Sequence, residues 1–259
     1  MSNIDKQAID KLIASPSYIP LYHKDFPLIL LWTPKSGCTT YNKWFFFQIG
    51  LFEKVYQDTE GHVHRYRDFV FRKEPDYTQG LTKNLLEAKK DIHKLVRNPY
   101  KRAVSSFLHT ICNEWLICKF DSDINKGLSF KQFLYHLKSL GPTINTIDRH
   151  IAPQYIDGEE QFITEYIQLE NFNNHITEIE KTYGLLKTPL SQISKSSHHF
   201  SERMVQKGEY AEAILTVEKS GGRFPTYESF YNKETKELVK EMFANDFEIY
   251  GYDKDNIII

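Results

Sequence analysis

The sequence has little of what marks a secreted, membrane-spanning or nucleic-acid-binding protein. Its cysteines are three, Cys38, Cys112 and Cys118. An odd number at this spacing suits neither a disulfide framework nor a structural metal, and a reducing cytoplasm is the expected compartment. Charge of one sign is not in excess: the formal net charge is −1. A chain that binds nucleic acid globally carries a basic surplus, so no such partner is expected and any anion site has to be local. Long apolar runs are missing too. The most apolar early run, Leu28 to Trp32, falls far short of the ~20 residues that span a bilayer. The opening Met-Ser-Asn-Ile-Asp-Lys lacks the basic-then-apolar pattern of a signal peptide. A soluble chain with no transmembrane segment is the expectation. Internal repeats, low-complexity tracts and long linkers are absent as well.

What is present suits one large domain over residues 1–259. Apolar residues make up 41% and aromatics 14% of the 259 residues, enough to build a core. Residues 4–14 have helical spacing and end before Ser15-Pro16, giving an N-terminal helical extension over 1–26. Pro27-Leu-Ile-Leu-Leu-Trp32 is a continuous apolar run that reads as a buried parallel strand. The polar loop Pro34-Lys-Ser-Gly-Cys-Thr-Thr40 follows, then an apolar stretch from Tyr41 to Ile49 that stops at Gly50 and reads as a buried helix. The order recurs. His93-Lys-Leu-Val-Arg97 reads as a short strand, and Asn98-Pro99 supplies an N-cap and an N1 proline for the next helix. Phe130–Leu140, Phe172–Tyr183 and Lys233–Phe247 have helical spacing, and Tyr166–Leu169 reads as a further strand. Strand–helix alternation of this kind predicts an α/β fold with a central parallel sheet flanked by helices.

Two motifs carry chemistry. In the loop 34–40, Gly37 allows close approach of the backbone, Lys35 adds a point charge, and Thr39 and Thr40 add hydroxyls. A strand ending in such a loop and opening a helix can cradle a phosphate on successive N–H groups. It is not a Walker A loop, because Lys35 precedes the only glycine. An ordinary strand–helix turn with a solvated lysine has the same sequence, so both readings stand at this point. The second motif is Arg97-Asn-Pro-Tyr-Lys-Arg-Ala-Val-Ser-Ser-Phe107, in a stretch with no acidic residue between Asp91 and Glu114. Arg97 would present its fork to a phosphate from the end of a strand, with Ser105 about two turns into the helix. A solvated basic helix face is the plainer alternative.

Taken together, the motifs resemble the two signatures by which the sulfotransferase superfamily binds 3′-phosphoadenosine 5′-phosphosulfate (PAPS). Pro34–Thr40 resembles the loop that holds the 5′-phosphosulfate. Arg97 and Ser105 resemble the pair that holds the 3′-phosphate. Arg149-His-Ile-Ala-Pro-Gln154, Tyr166-Ile-Gln-Leu-Glu-Asn171 and the tail Asp246-Phe-Glu-Ile-Tyr-Gly-Tyr252 are similar to segments of the carbohydrate, Golgi-type, family-2-like branch. The resemblance implies a P-loop-like three-layer α/β fold with a PAPS-binding core over 27–110 and a mostly helical acceptor-binding part over 111–259. It implies sulfuryl transfer from PAPS to a hydroxyl of a carbohydrate or glycolipid acceptor. Adenosine 3′,5′-bisphosphate is then the product, and no metal is expected. Lys35, Ser36, Gly37, Cys38, Thr39, Thr40, Arg97 and Ser105 are the implied cofactor-binding residues. The chain departs from the family at Ser194-Lys-Ser-Ser-His198, where the family often has an Asn-x-Ser loop and the asparagine is missing here.

Glu60-Gly-His-Val-His-Arg65 resembles the segment around the catalytic histidine of uronyl 2-O-sulfotransferases. That implies His62 as the base, with Glu60 as a neighbour to orient or replace it, while Lys35 and the loop N–H groups are expected at the leaving phosphate. A structural histidine or a His-x-His metal pair is the alternative, the metal pair ranking lowest because no third ligand is evident. If the segment is extended, His62 and His64 share a face. His150 and Gln154 are the expected substrate-binding residues, with a supporting role for His150 as the alternative. Trp32, Trp44 and Phe45–Phe47 read as core, while Trp115, Tyr155 and Tyr227 are open as sugar platforms. A small-molecule kinase of P-loop type would need a Walker lysine and a magnesium ligand. An inactive nucleotide-binding module needs neither.

Overall fold

The computed structural model describes residues 9, 13, 19–194 and 200–257. In chain order the principal elements are β1 (Leu28–Trp32), α1 (Cys38–Gln48), α2 (Phe52–Thr59), α3 (Val63–Phe69), α4 (Tyr77–Leu86), β2 (Asp91–Val96), α5 (Pro99–Ile111), α6 (Phe130–Leu140), β3 (Glu165–Gln168), α7 (Phe172–Thr182), β4 (Met204–Gln206), β5 (Phe224–Pro225), α8 (Lys233–Met242) and α9 (Ala244–Ile249). The fold is α/β, with a central parallel sheet flanked by helices. The chain divides into two compact units, residues 1–96 with 157–196, and residues 97–156 with 197–259.

The first unit is built on the parallel sheet β1-β2-β3. Leu28 lies opposite Asp91, and His93 opposite Glu165. All of β1 is buried, as is β2 beyond Asp91, and β1 accordingly reads as an unbroken apolar run rather than an alternating one. β2 buries two polar residues, His93 and Lys94, and Lys94 forms a buried ion pair with Glu159. Such a pair adds little net stability, but removing one partner alone costs about 3–5 kcal/mol, so it fixes β2 against the turn at Gly158. Helix α1 is buried continuously from Thr40 to Phe46, Asn42 and Lys43 included. Trp44 stacks on Tyr41 at 5.7 Å between ring centroids. Its indole N–H donates to Glu180 at 3.0 Å, and Gln48 donates to the same oxygen at 3.2 Å. Trp32, Trp44, Phe45 and Phe46 are core residues, while Phe47 is half-buried.

The second unit opens with α5, where Asn98 caps by accepting from the Lys101 N–H and Pro99 fills the first helical position. Capping boxes start α6 (Ser129 with Gln132) and α8 (Asn232 with Thr235). A core of Phe107, Phe130, Phe133 and Phe230 joins α5, α6 and the turn 227–230 before α8 by edge, tilted and stacked contacts. A short parallel pair, β4 with β5, completes the unit.

Two expectations are corrected. The segment 233–247, expected as one helix from its spacing, is two helices, because the backbone leaves the helical region at Phe243 (φ −116°, ψ 31°). The ring of Phe243 is buried, so the apolar spacing runs on through the break and hides it. The segment around His62 is not extended: His62 is the N-cap of α3 and His64 lies on that helix. The two histidines therefore do not share a strand face. The expected helix over 4–14 lies outside the described residues except at Ile9 and Ile13, as does Ser194–His198 beyond Ser194. Among the described residues no helix is long and apolar enough to cross a membrane.

Candidate functional site

In the first unit, β1 delivers the chain into the loop 34–40. Lys35 (φ 69°) and Gly37 (φ 90°) both adopt left-handed backbone conformations. Alternation of this kind turns successive N–H groups toward one side and makes an anion nest. Gly37 is the N-cap of α1, where no side chain caps the helix and the first turn carries no acidic residue. The positive φ favours glycine at position 37, and a Cβ there would also lie 2.5 Å from Leu169 Cδ1, so that side chain would have to shift. These features fit an anionic ligand. Burial pushes the Cys38 thiol up, against the opposing pull of Arg67 and Lys35, so Cys38 stays protonated and uncharged at the mouth of the helix.

Helix α3 meets this loop through His64. Its Nε2 lies 3.0 Å from the Thr39 hydroxyl and 4.0 Å from Cys38 Sγ, and its Nδ1 lies 2.9 Å from Arg67 Nη1. Arg67 also donates to Asn42 Oδ1 at 3.0 Å, and Asn42 Nδ2 donates to the Cys38 carbonyl at 2.8 Å. Asp68 takes two hydrogen bonds from Arg67, at 2.8 and 2.7 Å, and one from Arg72 at 2.8 Å. Burial would raise the Asp68 pKa, but hydrogen bonding and charge from Arg67, with Arg72 and His64, hold it below the usual carboxylate range. His62 and Glu60 are both exposed, and Glu60 sits at the left-handed end of α2. Of the two histidines in this segment, then, His64 touches the loop. Sequence reading missed Arg67, Asp68 and Asn42. Read as a helix, positions 64, 67 and 68 would have grouped themselves by the i, i+3, i+4 rule.

In the second unit, Arg97 directly follows β2. Its Nη2 donates to the Tyr227 hydroxyl at 2.7 Å, and its guanidinium carbon lies 5.5 Å from that ring's centroid. Tyr227, open as a sugar platform from sequence, is thus a partner of Arg97. Gln154 is fully buried. Its Oε1 accepts from the Arg97 N–H at 2.9 Å and its Nε2 donates to the Arg97 carbonyl at 2.7 Å. Its side chain brackets the backbone of Arg97, with Asp246 Oδ2 at 3.4 Å from Nε2, as a buried amide has to satisfy its own polar atoms. Asp246 of α9 accepts from the N–H groups of Gln154 and Tyr155, at 3.0 and 2.8 Å. The segment 149–154 is strapped to α5 by Arg102, which donates to the Ala152 and Arg149 carbonyls at 2.6 and 3.2 Å. Ser105 on the same helix is nearly buried.

His150 is half-exposed, and its Nδ1 lies 2.7 Å from Asp148 Oδ1. Burial would raise the Asp148 pKa, but hydrogen bonds from the His150 ring and backbone outweigh it and hold that carboxylate low. In the neutral ring a carboxylate acceptor places the proton on Nδ1 and leaves Nε2 with its lone pair, the arrangement of a general base. Trp115 is exposed. Among the described residues no group of His, Cys, Asp and Glu is arranged to hold a metal ion.

A protein-family model, that of the sulfotransferase family, matches residues 21–253. No curated protein and no solved structure matches the chain.

Proposed function

Because the chain belongs to the sulfotransferase family and is a sulfuryl-transferring enzyme, we propose that it uses PAPS as donor and sulfates a hydroxyl of a carbohydrate or glycolipid. The observation that carries the donor reading is the loop 34–40, with left-handed residues at Lys35 and Gly37 and the uncapped start of α1 behind it. Lys35 and the N–H groups of 36–40 take the 5′-phosphosulfate end. Arg97 and Ser105 take the 3′-phosphate, with Tyr227 and Gln154 holding Arg97 in place. The donor supplies an activated sulfuryl group. The acceptor oxygen bonds to sulfur as the bond from sulfur to the bridging phosphate oxygen breaks, and adenosine 3′,5′-bisphosphate leaves. Charge develops on the departing phosphate, so fixed donors aimed there lower the barrier. The acceptor's proton passes to a base. The family resemblance favours His62 with Glu60 beside it. The hydrogen bond from His150 to Asp148 favours His150 as a second reading.

Sulfur-labelled PAPS offered with a panel of glycans tests the reading, and label should move to a sugar hydroxyl. Nucleotide binding with no transfer to any acceptor would favour an inactive binding module. Turnover should survive chelation with EDTA. If EDTA abolished it and magnesium restored it, the kinase-type alternative would replace this one.

A further inference from the structure

Within the first unit, one side-chain chain runs from Asp68 to the loop. Arg67 is nearly buried and spends Nε and Nη2 on the two oxygens of Asp68. Its guanidinium carbon stands 5.0 Å from the Trp32 ring centroid, and that of Arg72 stands 5.6 Å from it. The two arginines are thereby held on the last residue of β1. Nη1 then directs its two protons to Asn42 Oδ1 and His64 Nδ1, at 3.0 and 2.9 Å. An arginine is only ever a donor, so Nδ1 of His64 must be the acceptor. The imidazole proton is therefore on Nε2, and the contact of 3.0 Å to Thr39 is Nε2–H donating to the hydroxyl oxygen. A threonine whose oxygen is already an acceptor has its own proton left to donate elsewhere.

We infer that Arg67, fixed by Asp68, is a positioning residue that locks His64 as an Nε2–H donor, so that Thr39 turns its hydroxyl proton toward an anion held in the loop 34–40. His64 is then a donor relay and not the base of the reaction, although it is the histidine that touches the loop. The contrast with His150 is chemical: an arginine faces Nδ1 of His64, whereas a carboxylate faces Nδ1 of His150. The identity of the anion rests on the proposed PAPS reading. The tautomer does not.

The test uses the intact chain labelled with nitrogen-15 at histidine, with no nucleotide added. Long-range proton–nitrogen spectra should show His64 protonated at Nε2 and bare at Nδ1, the resonance being assigned by its loss in His64→Gln. In Arg67→Met the ring should become a mixture of tautomers. Calorimetry with adenosine 3′,5′-bisphosphate supplies a second readout. An amide carries an acceptor beside a donor, as the locked imidazole does, but moves no proton at neutral pH. His64→Gln should therefore bind within about threefold of the natural protein, while His64→Ala loses about tenfold, the scale of one lost hydrogen bond. A wild-type ring protonated at Nδ1, an unchanged tautomer in Arg67→Met, or a His64→Gln protein as weak as His64→Ala would each overturn the inference. If the natural chain bound no nucleotide at all, the donor reading would fall while the tautomer result still decided the role of Arg67.

Discussion

The side-chain amide of Gln154 brackets the backbone of Arg97, accepting from its N–H at 2.9 Å and donating to its carbonyl at 2.7 Å. Two groups that β2 would have paired had it run one residue further are satisfied here by one glutamine from a distant segment. The residue expected to hold a phosphate is thus held by a residue expected to hold the acceptor.

Arg97→Ala should weaken binding of adenosine 3′,5′-bisphosphate by roughly ten- to a hundredfold, from a charge-assisted hydrogen bond of about 1.5–3 kcal/mol. Gln154→Ala removes no group assigned to the nucleotide, yet it strands the Arg97 N–H and carbonyl. It should weaken binding too and lower Tm, and it should add little on top of Arg97→Ala. Calorimetry on the two single variants and the double variant checks this. Full additivity would separate Gln154 from the work of Arg97.

Gly37→Ala should weaken nucleotide binding. A left-handed backbone costs a residue with a Cβ about 1–2 kcal/mol, and the added Cβ would lie 2.5 Å from Leu169 Cδ1. Adding Leu169→Ala relieves the contact but not the backbone strain, so it should restore part of the affinity and no more. Unchanged affinity in Gly37→Ala would take the loop out of the site.

His62→Ala should lower kcat by ~10²-fold or more, the scale of a general base, and leave nucleotide affinity almost unchanged. Glu60→Ala should do less. His150→Ala and Asp148→Asn are the comparison. If those two lose kcat together while His62→Ala keeps it, the base is His150 with Asp148 as its orienting partner. Single-turnover rates on the true acceptor separate these outcomes.

Stability should decline with acid partly through His93. Burial holds this imidazole below its ordinary pKa of about 6.5, against the opposing pull of Glu165 and Asp91. As pH falls through about 6.5 the unfolded chain takes up a proton that the folded chain does not, so stability is lost toward lower pH. In His93→Phe, which keeps a ring against Tyr183 (centroids 5.9 Å apart in the natural protein), Tm should fall less between about pH 7 and about pH 5. A parallel decline in both proteins would show that other groups carry the effect.

The local order of this protein was determined by sequence alone. Leu28–Trp32 is a strand because five consecutive apolar residues suit a site covered on both faces, and Asn98-Pro99 starts α5 because it supplies a cap and a preset φ. The loop 34–40 was legible as the link from β1 into α1, because a polar, glycine-bearing segment lies between two apolar runs; its reading as a phosphate cradle came from the family resemblance. Tertiary structure alone decided which polar side chains meet. His62 and His64 are two residues apart, and only the turn from α2 into α3 puts one in solvent and the other on Thr39. Gln154 and Arg97 are 57 positions apart, and Lys94 and Glu159 are 65. No period or propensity links such pairs. They come together because a buried polar group has to find a partner wherever packing brings one, and that requirement is settled by the whole fold.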